Sequence, residues 1–405
     1  MKPLNRSQFL KTLGIGTVSA SFWTGRGFSS PGLEDARATA KSIKIKDVEI
    51  YLNDIKFVAP FTVALGTIDS TNGVLIRIQT DAGITGVGES APFQPVTGDT
   101  QQTNVAVAQD LRAALKGKDP LAIESANTLF GAYFHSNPSI IAAFDMALYD
   151  ILGKAAGLPI FRLLGGDKTT FETDFTIGID TPENMAIAAR EHAAKGFRIH
   201  KVKVGQDPDT DVARLQAIRE AIGYDHTIRI DGNQGYTVPQ AIYALRHMER
   251  FKIQFCEQPV LYSDIAGLRR VRDASPIAIM ADEALFLPTD ALKLIKAEAC
   301  DYFNIKLMKA GGISNALKIS TIAEAANVHC MLGCMAETRL ALTAAAHVHG
   351  ARRNILFADL DGYLSHTIDP VIDGMTVRNG IVTLPEKPGL GADVDPAFLK
   401  TRRKA

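Results

Sequence analysis

The chain carries no surplus of either charge, with 44 lysines and arginines against 44 aspartates and glutamates. That balance excludes the broad positive field that nucleic acid or an anionic membrane surface would require, and leaves a small molecule as the expected partner. Cysteine is scarce: Cys256, Cys300, Cys330 and Cys334 lack zinc-ligand spacing and are expected as core thiols, not as a disulfide framework. Long apolar runs are missing too. No segment after the N-terminus approaches the ~20 apolar residues that span a bilayer, so the mature chain is expected to have no membrane partner. What is present, 46% hydrophobic and 22% charged residues over 405 positions, suits one large globular domain and a smaller one.

Residues 1–30 read differently from the rest. A basic start, a modestly apolar stretch around Leu10 to Trp23 and small residues near Ser19 to Ser21 have the layout of an export signal. Arg6-Ser7-Gln8-Phe9-Leu10-Lys11 resembles a twin-arginine signal in which Ser7 replaces the second arginine. The expectation is an exported, periplasmic protein, with a cytoplasmic protein bearing an N-terminal extension as the alternative.

From Ser42 the texture is that of strands: "IKIKDVEIYLN", "NGVLIRIQT" and "GITGVGES", with Asp81-Ala82-Gly83 as a turn before the third. Three stretches with helical spacing of apolar residues follow, the last closed by Gly157. Residues 42–165 are therefore expected as an α+β capping domain. Between 166 and 368, eight short apolar runs, each but the last followed by an amphipathic stretch, predict a (β/α)8-type, modified TIM barrel. That span is short against the ~250 residues of the usual barrel, so one terminal helix is expected to be missing or replaced. Residues 369–405 revert to strand and turn texture and are expected to return to the capping domain.

The apolar runs stop at charged residues in phase: Lys203, Asp231, Glu257, Asp282, Lys306, then Asp359 with Asp361. The steps are 24 to 28 residues, about one strand and helix each, and then 53, about two. Such spacing sets all of them on the C-terminal rim, where barrel enzymes do their chemistry. Asp231, Glu257 and Asp282 come from consecutive strands, and three carboxylates meeting in a site of low dielectric demand a cation. All-oxygen ligation points to Mg2+. Asn233, Gln258 and Glu283 adjoin the ligands and would orient them, unless they are exposed loop residues.

Lys203 on the second barrel strand and Lys306 on the sixth stand half a circumference apart, and so approach a central carbon from opposite faces. Lys201 shares the inward face of Lys203, because side chains alternate along a strand. It is expected as an electrostatic partner and a contact for a substrate carboxylate, with Lys203 as a base whose pKa neighbouring cations would lower. Two lysines snorkelling at a strand end is the plainer alternative.

In combination, Lys201-x-Lys203, Asp231-x-Asn233, Glu257-Gln258-Pro259, Asp282-Glu283 and "NIKLMKAGGI" resemble the enolase superfamily, and within it the muconate-lactonising-enzyme-like subgroup, from about Ser42 onward. The resemblance implies an isomerase that moves a proton at a carbon beside a Mg2+-bound carboxylate, with Lys203 and Lys306 as the acid–base pair. The seventh strand ends in "LGCMAET", without the paired histidine of the mandelate-racemase branch. Asp359-x-Asp361 is similar to the pair with which dipeptide epimerases hold a substrate ammonium, which implies a dipeptide substrate.

By the same resemblance Thr176, Cys334 and Met335 should line the pocket, and a loop near "FVAPFTVALGTIDS" should close over it. Gly66 stands where relatives that prefer Ala-Glu carry an arginine, so a small or apolar second residue is expected instead of glutamate. Cycloisomerase, o-succinylbenzoate synthase or N-acylamino acid racemase chemistry on the same site, and an inactive exported peptide-binding protein, are the alternatives. Self-association is left open.

Overall fold

The computed structural model describes residues 43–133 and 136–405, so the expected export signal lies outside the described residues. Strands β1 (Ile45–Val63), β2 (Gly66–Thr80) and β3 (Thr85–Ser90) form an antiparallel meander. Val48, Ile50, Val74, Ile76 and Ile78, spaced by two, bury one face of it against the helices Gln101–Leu115, Ile123–Tyr133 and Pro138–Ala156. The chemistry of the caps sets the helix ends. The Thr100 hydroxyl accepts from the Thr103 amide at the start of the first, and Gly157 closes the third at a φ of 70°.

The meander and the third helix touch through glycine. A Cβ at Gly88 would lie 1.9 Å from the Ala143 carbonyl oxygen. Gly88→Ala must therefore push strand from helix, and is expected to lower unfolding free energy by about 1–3 kcal/mol, the range for overpacked cores. A urea midpoint that drops at constant slope is the measurement; an unchanged midpoint would show that the helix yields freely.

The barrel strands are β5 (Phe175–Ile177), β6 (Ile199–Lys203), β7 (Thr227–Asp231), β8 (Ile253–Glu257), β9 (Ile279–Ala281), β10 (Tyr302–Lys306), β11 (His329–Gly333) and β12 (Ile355–Ala358). They make one parallel sheet in chain order. The sheet curls until the Asp174 amide donates to the Ala358 carbonyl at 3.4 Å, joining its first edge to its last. Helices follow the first seven strands, whereas the eighth is followed only by a short 3-10 turn at Gly362–Ser365, which accounts for the short span. Phe255, Met280 and Met331 fill the interior with Tyr302 and Phe357 beside them. Arg229 lies over the Phe255 and Phe357 rings and pairs with Asp174 at 2.7 Å.

The C-terminal segment divides its contacts, where the sequence pointed it to the capping domain as a whole. β13 (Thr376–Arg378) and β14 (Ile381–Thr383) extend β4 (Thr170–Glu172), just ahead of the barrel, because the open edge of β4 gives the buried Val382 a strand to pair beside. Further on the chain packs on the cap: Arg77 pairs with Asp393 at 2.5 Å, and the Leu52 and Ala405 amides bond across to Arg403 and Ile50 carbonyls at 3.0 Å.

Candidate active site

Alternation along β6 sends His200 and Val202 outward to the helices and Lys201 and Lys203 into the barrel, where both are buried. Register does the rest. Lys203 is paired with Asp231 across β6 and β7, and Asp231 with Glu257 across β7 and β8, so strand ends a full unit apart in sequence become lateral neighbours. Asp282 follows the last residue of β9, and Lys306 ends β10.

Asp231, Glu257 and Asp282 each bring a ligand oxygen within 4.8 Å of the others. Around them stand ammonium groups. Lys203 Nζ donates to Asp231 Oδ2 at 2.6 Å and Lys306 Nζ to Asp282 Oδ2 at 2.8 Å. Lys201 Nζ donates to Asp359 Oδ2 at 2.7 Å, 2.9 Å from Glu257 Oε2 and 3.2 Å from Asp231 Oδ2.

Burial works against the charged forms of Asp231 and Asp282, yet the adjacent lysines hold both carboxyls below their usual range. Glu257 is the exception: burial and Asp231 push it up to about 8, and its Oε2 accepts no hydrogen bond. A buried carboxylate oxygen that makes no hydrogen bond and is faced only by the Lys201 ammonium, inside an all-oxygen set, fits a small hard divalent cation. Burial disfavours the ammonium of Lys201 and of Lys306, but the carboxylates facing them outweigh it and raise both pKa values.

Across the barrel mouth Asp359 and Asp361 sit together. Asp361 Oδ2 accepts the Thr176 amide at 2.6 Å, and Cys334 Sγ lies 3.8 Å from Oδ1. Burial and the charge of Asp359 push Asp361 up to about 7. Asp359, although buried, is held low by Lys201. The pair is thus short of one positive charge.

A cavity of about 580 Å3 joins the two clusters. Lys201, Lys203, Lys306, Asp282, Thr176, Cys334, Met335, Asp359 and Asp361 line its floor and walls, and Phe57, Phe61, Val63 and Ile68 of the β1–β2 hairpin cover it with Phe93. Asp231, Glu257 and Gln258 lie beneath, fully buried. Gly66 is not brought to the site: it is exposed at the hairpin tip, outside the lining, where it pairs with Val63 and has no side chain to reach the cavity.

The residues beside the ligands are buried rather than exposed. Gln258 Oε1 accepts the Asp282 amide at 3.0 Å and the Ala284 amide at 3.2 Å. The Asn233 amide donates to Asp231 Oδ1 at 2.9 Å, and its Nδ2 donates to Glu283 Oε1 at 3.1 Å. Burial and Asp282 push Glu283 up to about 7. Two contributors were missed. Asn304, two residues before Lys306 on the same strand face, donates to Glu257 Oε1 at 2.7 Å. Lys309, fully buried, donates to the Asp282 side chain and its carbonyl. Both lie in or beside the "NIKLMKAGGI" stretch, where the period-two pattern marked Asn304 and nothing marked Lys309.

Fold and site together define a capped-barrel enzyme with an acidic metal centre between two lysines. Residues 46–165 match the family described as "Mandelate racemase / muconate lactonizing enzyme, N-terminal domain", and residues 184–398 match "Enolase C-terminal domain-like". The chain belongs to this branch of the enolase superfamily. The D-Ala-D/L-Ala epimerase of Cytophaga hutchinsonii is 41% identical over 362 residues, 89% of this chain and 98% of the relative. The hydrophobic dipeptide epimerase of Enterococcus faecalis is 41% identical over 351 residues, 86% of this chain and 99% of the relative. A crystal structure of a dipeptide epimerase from Cytophaga hutchinsonii complexed with Mg and D-Ala-L-Val superimposes with a TM-score of 0.88 at 41% identity, covering 89% of this chain and 99% of that one.

Proposed function

We propose that this chain is a dipeptide epimerase that inverts the α-carbon of the C-terminal residue by proton transfer between two lysines. The observation that carries the reading is that Lys203 and Lys306, four strands apart in the sheet, both reach the one carboxylate cluster, on Asp231 and on Asp282. A carbon held above that cluster has an amine on either side. Asp231, Glu257 and Asp282 would hold Mg2+, which supplies positive charge to offset the charge that grows on the substrate carboxylate as the α-proton leaves. Lys201 adds a fixed cation beside it. One lysine takes the proton from one face and the other returns a proton to the opposite face, so the centre inverts.

The second cluster reads the other end of the substrate. Asp359 and Asp361 meet the free α-ammonium of the dipeptide, which restores the charge balance they lack. Asp359→Asn with Asp361→Asn is expected to cut kcat/KM for free-amine dipeptides by about 100-fold or more, since each charged hydrogen bond contributes about 1.5–3 kcal/mol. In the wild-type protein kcat/KM should rise with pH through about 7 as Asp361 ionises, and Asp361→Asn should lose that step. Unchanged or improved turnover in the double variant would instead favour an N-acylated or dianionic substrate of the same subgroup.

The Phe57, Phe61, Val63 and Ile68 cover is apolar, and no arginine is among the described lining residues, which favours small or apolar side chains over glutamate. A dipeptide library in D2O with Mg2+, read by NMR for deuterium at the α-carbon, tests the whole reading. Incorporation with inversion supports it; no exchange across the library would point to a peptide-binding protein. Export remains our inference from residues 1–30, and the mass of the mature N-terminus tests it.

A further inference from the structure

Each carboxylate of the acidic triad has one oxygen tied from behind and one turned toward the lysines that line the cavity. Asp231 Oδ1 accepts the Asn233 amide at 2.9 Å, Glu257 Oε1 accepts Asn304 Nδ2 at 2.7 Å, and Asp282 Oδ1 accepts Lys309 Nζ. The opposite oxygens, Asp231 Oδ2, Glu257 Oε2 and Asp282 Oδ2, are those that meet Lys203, Lys201 and Lys306. Three different kinds of donor thus produce the same division of labour on three strands.

We propose that Asn304, with Lys309 and the Asn233 amide, restricts every carboxylate of the triad to one-oxygen ligation, and that this restriction selects Mg2+ over Ca2+. The inference rests on the metal-dependent reading above. Mg2+ takes six oxygens in a near-ideal octahedron at about 2.0–2.1 Å, whereas Ca2+ takes six to eight at about 2.3–2.6 Å and readily accepts both oxygens of a carboxylate. Three single oxygens would supply half of such a set and would leave the remainder to water and the substrate carboxylate. A second oxygen from Glu257 would raise the coordination number, which suits Ca2+ and takes a position from the substrate.

Asn304 is the decisive donor because Glu257 is the longest of the three side chains, with one more rotatable bond than aspartate, and has no other hydrogen bond on Oε1; Lys306 stands 3.9 Å from it. The amide itself is held by a neighbour without a side chain. A Cβ on Gly333 would lie 2.5 Å from Asn304 Oδ1 and 2.8 Å from Nδ2, so β11 leaves a slot that this amide fills. Glu257 dictates which way the amide faces, since only Nδ2 can donate to a carboxylate.

Calorimetric titration of the metal-free protein with MgCl2 and with CaCl2 tests the inference without reference to turnover. Asn304→Ala is expected to weaken Mg2+ binding by about 10-fold or more, the range for removing a partner that orients a metal ligand, and to strengthen or spare Ca2+. Gly333→Ala, which removes no polar atom and displaces the same amide, should move the ratio of the two constants in the same direction and carries the test should Asn304→Ala not fold. Unchanged Mg2+ constants and an unchanged ratio in whichever of these folds would overturn the role given to Asn304. Absence of saturable Mg2+ binding in the wild-type protein would overturn the metal-dependent reading itself, a separate failure.

Discussion

Lys203→Ala and Lys306→Ala are each expected to lower epimerisation by about 1,000-fold or more, toward the upper end of what a positioned acid or base contributes. Each should nonetheless keep half of the chemistry. With Lys306 absent, Lys203 can still take and return a proton on its own face, so one epimer exchanges its α-hydrogen with D2O without inverting; with Lys203 absent the other epimer does so. The two variants should therefore label opposite epimers. Folding is expected to survive both changes, because each leaves a cation on the carboxylate concerned: Lys201 at 3.2 Å from Asp231, and Lys309 on Asp282. Proton NMR of both dipeptide epimers in D2O, with thermal melts as control, reads the result. Near-normal inversion in either variant, or exchange of the same epimer in both, would end the two-base scheme.

The parts of this site that could be read in the sequence are those that obey a period. Alternation along β6 put Lys201 and Lys203 on one face, and the strand-helix repeat put Asp231, Glu257, Asp282 and Lys306 on one rim; both follow from backbone geometry that any sequence in that element must share. Positions outside a period were not legible. Gly66 rests on analogy to a hairpin whose reach depends on how far the strands extend, and here it falls at the tip, beyond the lining residues Val63 and Ile68. Lys309 sits in the short helix Leu307–Ala310 after β10, where no repeat predicts which way a side chain turns. The strands β13 and β14 are three residues each, too short for their apolar pattern to name a partner, and only the free edge of β4 decided it.

Removal of divalent metal is expected to abolish turnover and α-hydrogen exchange while leaving the fold nearly as stable. Lys201, Lys203, Lys306 and Lys309 face Asp231, Glu257, Asp282 and Asp359, so the chain balances its own buried charge and the cluster does not depend on an ion to stay folded. Asp282→Asn should behave differently. It removes a ligand, but it also leaves Lys306 and Lys309 buried without the carboxylate between them, and breaking a buried pair in this way costs about 3–5 kcal/mol. The paired measurements are α-hydrogen exchange and urea unfolding, for EDTA-treated wild-type protein and for Asp282→Asn. Loss of exchange in both, with the midpoint falling slightly in the treated wild type and much further in the variant, is the expected pattern, and returning Mg2+ to the treated wild type should restore exchange and the small part of the midpoint lost by mass action. Exchange that persists in EDTA would mean that lysine charge alone lowers the barrier. A large drop in stability on chelation would mean that the ion, and not the lysine–carboxylate pairs, holds the barrel mouth together.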